Sequence, residues 1–195
     1  IAFNKNMYEF NYYLDKYLLL PVVSGYEFIL PQFAQDGVSN FFNNVGEVKT
    51  LINSVLQAKG KKSLRVLGRF LINSTLGIGG LLDPAKDCWG SQKGNEDFGQ
   101  TLGVWGTGPG PCLVLPFSGP LTVSDGIGTL VDSLLNPLSY FIPFIWDRLG
   151  MRLGEIINDR ALNYDLFQGF EESVIDMYSS VRHGYLQRRE RLIKE

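Results

Sequence analysis

The chain has few of the residues on which catalytic and metal sites usually depend. Its 195 residues include one histidine, His183, and two cysteines, Cys88 and Cys112. These cannot complete an ordinary four-ligand zinc site, and a Ser-His-Asp arrangement would have to use His183. His183 lies among arginines near the end of the chain, where a solvated surface histidine is expected. We therefore predict a protein that is not an enzyme and has no metal and no cofactor. Two free thiols are favoured for Cys88 and Cys112, and a disulfide between them stays an open alternative.

Charge is also scarce. Charged residues make up 19% of the chain, against about 25% in a typical soluble domain, while hydrophobic residues reach 45% and mean hydropathy is near zero. Residues 98–124 contain no Asp, Glu, Lys or Arg, and residues 113–146 contain no Lys or Arg. The surface is thus expected to expose more apolar area than usual. No basic face is broad enough for phosphates, so nucleic acid is excluded as a partner.

Long apolar runs are missing as well. Pro116, Pro120, Pro137 and Pro143 interrupt the longest of them, and none reaches the ~20 residues that a spanning helix requires. The chain opens at Ile1 with polar and aromatic residues, not with the basic and apolar regions of an export signal. We expect any such signal to have been removed or to lie outside this sequence. We also expect the protein to lie in a membrane without crossing it as a single helix.

Glycine and proline are abundant within apolar sequence. Residues 77–128 contain 13 of the 22 glycines and five of the nine prolines. Glycine permits left-handed backbone and close approach, and proline fixes the chain, so this region is predicted to be a rigid path that is neither helix nor sheet. Gly79, Gly80, Gly108 and Gly110 are expected to tolerate side chains poorly. Such backbone survives at membrane depth only where protein or a water-filled cavity satisfies its amides.

Helical periodicity dominates outside this middle region. Apolar spacing predicts three helices with short breaks: Phe3 to Tyr17, which Pro21 stops, then Val38 to Val45 and Val48 to Leu56. A fourth helix is predicted from about Lys62 to Leu76, and a fifth, capped by Ser124 or Asp125, from Ile127 to Leu135. Helical spacing continues from Leu138 to Leu149, another helix is predicted to begin at Leu153, and a last one runs from Phe170 to Tyr185. The best strand candidate is Cys112–Leu115. The fold is therefore predicted to be mainly α.

Two apolar helices around Asn136-Pro137 predict a helical hairpin. In a soluble protein such a hairpin would be buried in the core. Its scarcity of charge and the aromatic residues Tyr140, Phe141, Phe144 and Trp146 favour membrane contact instead. The basic helix at the C-terminus is typical either of a solvated helix end or of a surface for anionic head groups, and the two interpretations stay open.

Two spaced pairs of acidic residues occur in or near the middle region. Asp83 and Asp87 are four residues apart, and Asp125 and Asp132 are seven apart. Without histidine partners, such pairs are expected to cap helices or hold arginines rather than to act as catalytic dyads.

Five blocks of sequence, in this order and spacing, resemble the MlaA (VacJ) family of Gram-negative outer-membrane lipoproteins. They are FNKNMYEFNYYLDKYLLLP near the start, GVSNFFNN at 37–44, RFLINSTLGIGGLLDPA at 69–85, FGQTLGVWGTGPGPCLVLPFSGP at 98–120 and YSSVRHGYLQRR at 178–189. The two glycine-rich blocks are the specific ones, and the resemblance covers the whole chain.

The resemblance implies one lipid-transport domain over residues 1–195. Its implied fold is a mainly α, single compact ring-like helical domain with a Gly/Pro-rich irregular middle and an apolar helical hairpin. It implies a lipid-anchored protein in the periplasmic leaflet of the outer membrane, whose anchor cysteine is not in this chain. The implied function is a channel that removes phospholipid from the outer leaflet to the periplasm and maintains lipid asymmetry. The implied partners are a trimeric outer-membrane porin, a soluble periplasmic lipid carrier and phospholipid itself.

Two groups of residues are assigned to this path. The lipid channel is predicted to involve Asn40, Phe41, Phe42, Asn73, Thr75, Gly77, Gly79, Gly80, Asp83, Trp105, Gly108, Gly110, Pro111 and Asp125. The hairpin, predicted to be a movable wall that gates the channel, contains Leu134, Leu135, Asn136, Pro137, Phe141, Phe144 and Trp146. Within the first group, Asn40, Phe41 and Phe42 are expected to form a hinge or seal at the opening.

Three positions depart from the family pattern. Asp36 stands where arginine is common, Cys112 where an aromatic residue is usual, and Ser124 where arginine is frequent. The charge around the opening is therefore expected to differ from that of relatives. Two alternatives to lipid transport stay open, namely a hydrolase of membrane lipid and a porin-associated structural lipoprotein without a transport role.

Overall fold

The N-terminal segment is one nearly continuous helical arm. The computed structural model describes residues 2–141, 145–163 and 176–195, apart from the side chains at 141 and 145–148. Helix α1 (Ala2–Leu14) passes through a wider π-helical turn (Asp15–Leu19) into α2 (Leu20–Ile29). The prediction that Pro21 stops the helix is wrong, because Pro21 falls in the first turn of α2, where a missing N–H removes no helical hydrogen bond.

Two long helices follow and pack along each other. Helix α3 (Gln32–Leu56) starts after the extended residue Pro31, and α4 (Gly60–Thr75) lies against it. The sequence predicted α3 as two helices with a break, which is wrong: the chain runs through Gly46 as a single helix of 25 residues. The predicted boundaries of α4 are confirmed to within two residues. Helix α3 also contacts helices from later in the chain, which places it at the centre of the fold.

The glycine-rich middle contains four short elements. These are α5 (Pro84–Asp87), α6 (Phe98–Val104), β1 (Cys112–Leu115) and β2 (Gly119–Thr122). The strands form an antiparallel hairpin in which Cys112 lies opposite Thr122 and Leu115 opposite Gly119. Strand β1 is confirmed. Strand β2 was not predicted, because the glycine and proline at its start are depleted in strands.

Helix α1 holds this hairpin through two asparagines. Asn4 donates to the carbonyl of Cys112 at 3.0 Å and accepts from the amide of Val114 at 3.1 Å. One strand length further on, Asn11 donates to the carbonyl of Leu115 and accepts from the amide of Phe117, both at 2.8 Å. The exposed edge of β1 is therefore satisfied by side chains instead of a third strand. Cys112 and Cys88 are both free thiols.

Four helices complete the described chain. They are α7 (Val123–Leu135), α8 (Leu138–Phe141), α9 (Ile145–Leu162) and α10 (Met177–Lys194). The break at Asn136-Pro137 is confirmed. The predicted cap of α7 is wrong, since Thr122 caps it by accepting from the amide of Asp125. The predicted helix start at Leu153 is also wrong, because α9 already spans it; the part of the last helix predicted around Phe170 lies outside the described residues.

The polarity of the described body is inverted. Among these residues, five hydrophobic side chains are buried against eighteen polar or charged ones, while large apolar side chains such as Phe28, Phe33 and Leu130 are exposed by 71% or more. On α7 the buried residues include Ser124, Asp125 and Asp132. An amphipathic helix in water turns its apolar stripe inward. The reversed orientation indicates apolar surroundings, although none of the described helices combines the length and apolar sequence needed to cross a membrane.

Candidate functional site

A cavity of about 920 Å³, lined by both charged and apolar side chains, lies within the helical body. Its wall is built from α3, α7, α8, α9 and α10 together with the start of α6 and β2. Within the described residues, the charged part of the wall consists of Lys49, Asp97, Asp125, Asp132, Arg152, Glu155 and Arg189. The apolar part consists of Phe42, Val45, Leu121, Leu134, Leu138, Leu149 and Met151. A wall of this mixed character can contact both a charged group and hydrocarbon.

Arg189 closes one side of the cavity by joining three elements. From α10 it donates to both oxygens of Asp97, at 2.5 and 2.9 Å, and also to Asp125 on α7. Tyr185, one helical turn earlier, donates to the second oxygen of Asp125, which also accepts from the Thr122 hydroxyl at 2.6 Å. Two carboxylates and one guanidinium thus share a single network that docks α10 onto α6 and α7.

The network shifts the pKa values of its members. Burial alone raises the pKa of Asp97, but the hydrogen bond and charge of Arg189 outweigh it and hold the pKa below its usual value. Burial lowers the pKa of Arg189, yet its bonds to Asp97 and the charge of Asp125 raise it overall. Burial and the hydrogen bond to Asp125 raise the pKa of the Tyr185 hydroxyl. At neutral pH, Asp97 and Arg189 therefore form an ionised pair beside a neutral Tyr185.

Two glycines allow α6 and α7 to cross at this point. A β-carbon on Gly128 would lie 2.3 Å from the backbone nitrogen of Gly99, and one on Gly99 would lie 2.4 Å from Asp125 Oδ1 and 2.7 Å from Arg189 Nη2. All three separations are shorter than the contacts that real β-carbons make. The crossing of the helices and the position of the Arg189 network therefore both require glycine here.

Asp132 is fixed on the wall by a second hydrogen-bonded network. It accepts from Asn53 Nδ2 at 2.9 Å and from the amide of Phe98 at 3.2 Å. Asn53 in turn accepts from the Thr101 hydroxyl at 2.9 Å, and that hydroxyl accepts from Gln57 at 3.0 Å. These groups are buried, so α3, α6 and α7 are joined through polar contacts instead of an apolar core.

A third network fixes the glycine-rich turn after α4. Arg69, 3% exposed, donates to Glu47 and to Asp83, each at 2.9 Å, and also to the carbonyl of Ser91. Asp83 accepts from Asn73 at 2.8 Å and caps α5. Burial raises the pKa of Glu47 despite Arg69, whereas hydrogen bonds from Arg69 and Asn73 overcome burial and lower the pKa of Asp83. Asp83 thus both caps a helix and holds an arginine, as its spacing predicted.

Four of the residues assigned to the lipid path lie on the cavity wall. They are Phe42, Asp125, Leu134 and Asn136. Phe42 packs edge-on against Phe41 with ring centroids 5.6 Å apart. The roles assigned to these residues stay predictions, since position on a wall does not establish passage of lipid. The side chains of Phe141 and Trp146, and all of Phe144, lie outside the described residues.

The remaining assigned residues are not among the described lining of the cavity. Asn73 and Asp83 belong to the Arg69 network. Asn40 Nδ2 donates to the carbonyl of Leu81 at 3.2 Å and so holds the turn that contains Gly77, Gly79 and Gly80. Trp105 ends α6 and donates to the carbonyl of Leu56 at 3.2 Å. Thr75 ends α4 with an exposed side chain, Gly108, Gly110 and Pro111 are exposed before β1, and Leu135 and Pro137 are half-buried at the joint.

Sequence reasoning missed several residues of the site. The cavity lining includes Lys49, Asp132, Tyr185 and Arg189, none of which the sequence assigned to the lipid path. The sequence pattern of the C-terminal arginines predicted only a solvated helix end or a surface for head groups. No local pattern distinguishes Arg189 from the exposed Arg188 beside it; only the fold brings Arg189 to carboxylates 64 and 92 residues away. His183, in contrast, is exposed on α10 as expected.

Fold and site together define a helical protein with a charged interior and an apolar exterior. The model of the MlaA lipoprotein family matches residues 2–192, and the chain belongs to that family. A solved structure described under the heading "Structural basis for maintenance of bacterial outer membrane lipid asymmetry" matches 98% of this chain and 96% of its own at 34% identity, with a TM-score of 0.88.

Longer relatives, each matched over about three quarters of its length, support the same family. The intermembrane phospholipid transport system lipoprotein MlaA of Escherichia coli K12 is 35% identical over 193 residues, which cover 97% of this chain and 75% of the relative. The protein of the same name from Shigella flexneri is also 35% identical over the same coverage. A protein of Rickettsia felis is 35% identical over 189 residues, covering 96% of this chain and 74% of the relative.

Proposed function

We propose that this protein is the outer-membrane component of a phospholipid-trafficking system and maintains the lipid asymmetry of that membrane. In this proposal it provides a channel through which phospholipid leaves the outer leaflet towards the periplasm. The observation that carries the proposal is the inverted polarity of the body around a charged cavity. The E. coli and S. flexneri relatives, named as lipoproteins of an intermembrane phospholipid transport system, support it.

The cavity suits the two unlike ends of a phospholipid. Its charged side chains and hydroxyl groups replace water around a head group, which is costly to transfer through hydrocarbon without such partners. Its apolar side chains, among them Phe42, Leu138 and Leu149, offer a surface for acyl chains. A path that keeps the head group inside and the chains at the apolar wall lowers the cost of removing a lipid from its leaflet.

We assign the gate to the hairpin around Asn136-Pro137. Helix α8 folds back onto the end of α7 through two side chains: Ser139 donates to the carbonyl of Ser133, and Tyr140 to that of Leu134, both at 2.7 Å. The short helix and the joint can therefore move together without breaking the hydrogen bonds inside α7. Movement of this unit would open or close the cavity wall to which Leu134 and Asn136 belong.

The setting of the channel follows from its exterior. Exposed apolar side chains over much of the body favour a position in the membrane interface, and we place it in the periplasmic leaflet of the outer membrane with a lipid anchor. A trimeric porin is the proposed lateral partner. A soluble periplasmic carrier is the proposed acceptor of the lipid, because a phospholipid leaving this protein must cross an aqueous space.

The gate and the channel are tested together by bridging the cavity. Gly46 and Ser139 both line it, and a side chain at Gly46 would meet no atom within 4 Å. Gly46→Cys and Ser139→Cys are combined with Cys88→Ser and Cys112→Ser, and the variant replaces the native gene. A short bis-maleimide should raise the phospholipid in the outer leaflet, measured with an impermeant amine-reactive label.

The single-cysteine variants treated with the same reagent are the controls, because they carry one adduct but no bridge. They should retain more transport than the bridged double variant. A fully bridged protein that keeps the outer leaflet free of phospholipid would exclude gating by the hairpin. An unchanged outer leaflet after deletion of the gene would favour a structural lipoprotein instead.

We also propose that the protein does not act on lipid covalently. The single histidine is exposed on α10 and is not part of the described cavity lining. Purified protein is expected to release no fatty acid from phospholipid vesicles. Fatty-acid release that is lost in the His183→Ala variant would establish the hydrolase alternative.

A further inference from the structure

Most charged side chains on the cavity wall neutralise one another. Arg189 holds both Asp97 and Asp125, and Arg152 lies 4.0 Å from Glu155. These five residues carry a net charge of −1, because one guanidinium serves two carboxylates, but each of them already has a partner of opposite charge. On the described wall, the charged side chains that a ligand can still bind are therefore the other two of the seven.

The other two are Lys49 on α3 and Asp132 on α7, and they are neighbours. Within the described residues, Lys49 Nζ has no hydrogen bond or ion pair, and no cation lies within 4.0 Å of the Asp132 carboxylate. Asp132 is bound by Asn53 at 2.9 Å, and Lys49 lies one helical turn before Asn53 on the same side of α3. Burial raises the pKa of Asp132, and the charge of Lys49 partly opposes that rise.

The carboxylate is held in position from behind. The amide of Phe98 and the side chain of Asn53 donate to Asp132, and Asn53 is itself fixed by Thr101. Asp132 is 9% exposed, and Asn53 and Thr101 are fully buried. These bonds orient the acid but supply no positive charge. The charge of Lys49 acts on the acid without a hydrogen bond, so the site is preorganised for a second cation that donates directly to the carboxylate.

We propose that Lys49 and Asp132 form a head-group site that selects zwitterionic phospholipid, with Lys49 binding the phosphate and Asp132 binding a primary ammonium. The inference rests on the proposed function and names the substrate class of its channel. A phosphoethanolamine head group carries one charge of each sign, two carbons apart, and neutralises both residues at once. A phosphoglycerol head group satisfies Lys49 alone and leaves a buried carboxylate without a counter-charge, which is costly.

The test captures lipid at the site itself. Val45 lies one turn before Lys49 and lines the cavity, so Val45→p-benzoylphenylalanine places a photoreactive group beside the pair. The full protein is exposed to vesicles of equal parts phosphatidylethanolamine and phosphatidylglycerol and irradiated, and the attached lipids are identified by mass spectrometry. Phosphatidylethanolamine should exceed phosphatidylglycerol by about tenfold, the effect of one additional charge-assisted hydrogen bond.

Substitutions separate the two charges. Asp132→Asn should remove the preference by raising phosphatidylglycerol capture, whereas Lys49→Gln should lower capture of both lipids. The matched controls are Glu155→Gln and Arg152→Gln, which change paired charges on the same wall and should leave the ratio as it is. Capture from vesicles of phosphatidylcholine gives a second measurement without any substitution. Its trimethylated ammonium cannot donate a hydrogen bond, so its capture should fall well below that of phosphatidylethanolamine.

Equal capture of the two lipids by the unsubstituted pair would overturn the proposal, as would a preference that survives in a folded Asp132→Asn variant. Either result would overturn only the head-group site and not the proposed channel, because lipid would still be captured at position 45. Absence of any attached lipid from a folded protein would instead contradict the proposed channel. Should Asp132→Asn fail to fold, phosphatidylcholine captured as well as phosphatidylethanolamine would overturn the proposal.

Discussion

Arg189 and Asp97 form a two-bond ion pair between the last helix and the start of α6, across 92 residues of sequence. Their side chains are 14% and 25% exposed, so both charges have lost most of their hydration. Such a pair adds little net stability over an apolar contact, but removal of one partner leaves an uncompensated buried charge. The last helix therefore depends on Arg189 for its position on the cavity.

Arg189→Leu is expected to destabilise the protein by about 3 kcal/mol or more, because Asp97 and Asp125 would both lose their cation. Thermal unfolding of the purified protein in detergent measures the effect. Arg188→Leu is the matched control, since the adjacent Arg188 is exposed and its loss should cost little. Similar melting temperatures for the two variants would show that α10 is not held by this pair.

Acid should weaken the same contact. The pKa of Asp97 is lower in the folded protein than its ordinary value of 3.8. A depressed carboxyl pKa contributes stability that is complete above about pH 3.8 and is lost as the pH falls through the folded pKa. The melting temperature should drop steeply in that window, and less steeply in Asp97→Asn. The exposed Asp36→Asn variant should follow the native curve; an equally steep drop in Asp97→Asn would contradict the assignment.

The helix crossing at the cavity should reject a single methyl group. Gly128→Ala would place a β-carbon 2.3 Å from the Gly99 nitrogen, which forces α6 and α7 apart at a cost of about 1–3 kcal/mol. Gly126→Ala, on the same helix, meets its nearest atom at 3.4 Å. It should be neutral or slightly stabilising because alanine favours helix. The difference in unfolding temperature between these two variants is the decisive measurement.

The glycines of the irregular middle should differ from one another. Gly80 has φ +95°, and its β-carbon would lie 2.6 Å from the Asn44 side chain, so Gly80→Ala should cost about 1 kcal/mol or more. Gly108, also expected from sequence to need glycine, has open space around it and no positive φ, and that expectation is wrong. Gly108→Ala should retain native stability and transport. Equal losses in the two variants would contradict this distinction.

The bend between α2 and α3 should contribute to membrane binding. Phe28, Ile29 and Phe33 are exposed by 92%, 76% and 78%, and together they expose apolar surface that favours a bilayer interface. Replacement of all three by serine should lower the partition of the protein into phospholipid vesicles at least tenfold, measured by co-sedimentation. The double variant Glu27→Ser and Asp36→Ser is the polar control. If the triple variant binds vesicles as well as the native protein, this surface does not contribute to membrane binding.

Local signals were sufficient for much of the fold. Helical periodicity predicted α4 and α7, and Asn136-Pro137 predicted the joint, because a proline disfavours helix in the residue before it. Pro21 and the supposed break in α3 were misjudged for the converse reason. A proline in a first turn and a glycine inside a long helix are tolerated when neighbouring helices stabilise them, and packing is not visible in a local window.

The amphipathic stripes of α3 and α7 are properties of the sequence, but the direction in which each stripe faces is not. Periodicity determines that polar residues such as Asp125 and Asp132 share one side of a helix; only the packing of several helices decided that this side lines a cavity while the apolar side faces outward. Arg189 is a similar case. Composition supplied several equivalent cations, and the fold alone brought one of them to two carboxylates, because long-range electrostatic partners are chosen by tertiary geometry rather than by local sequence.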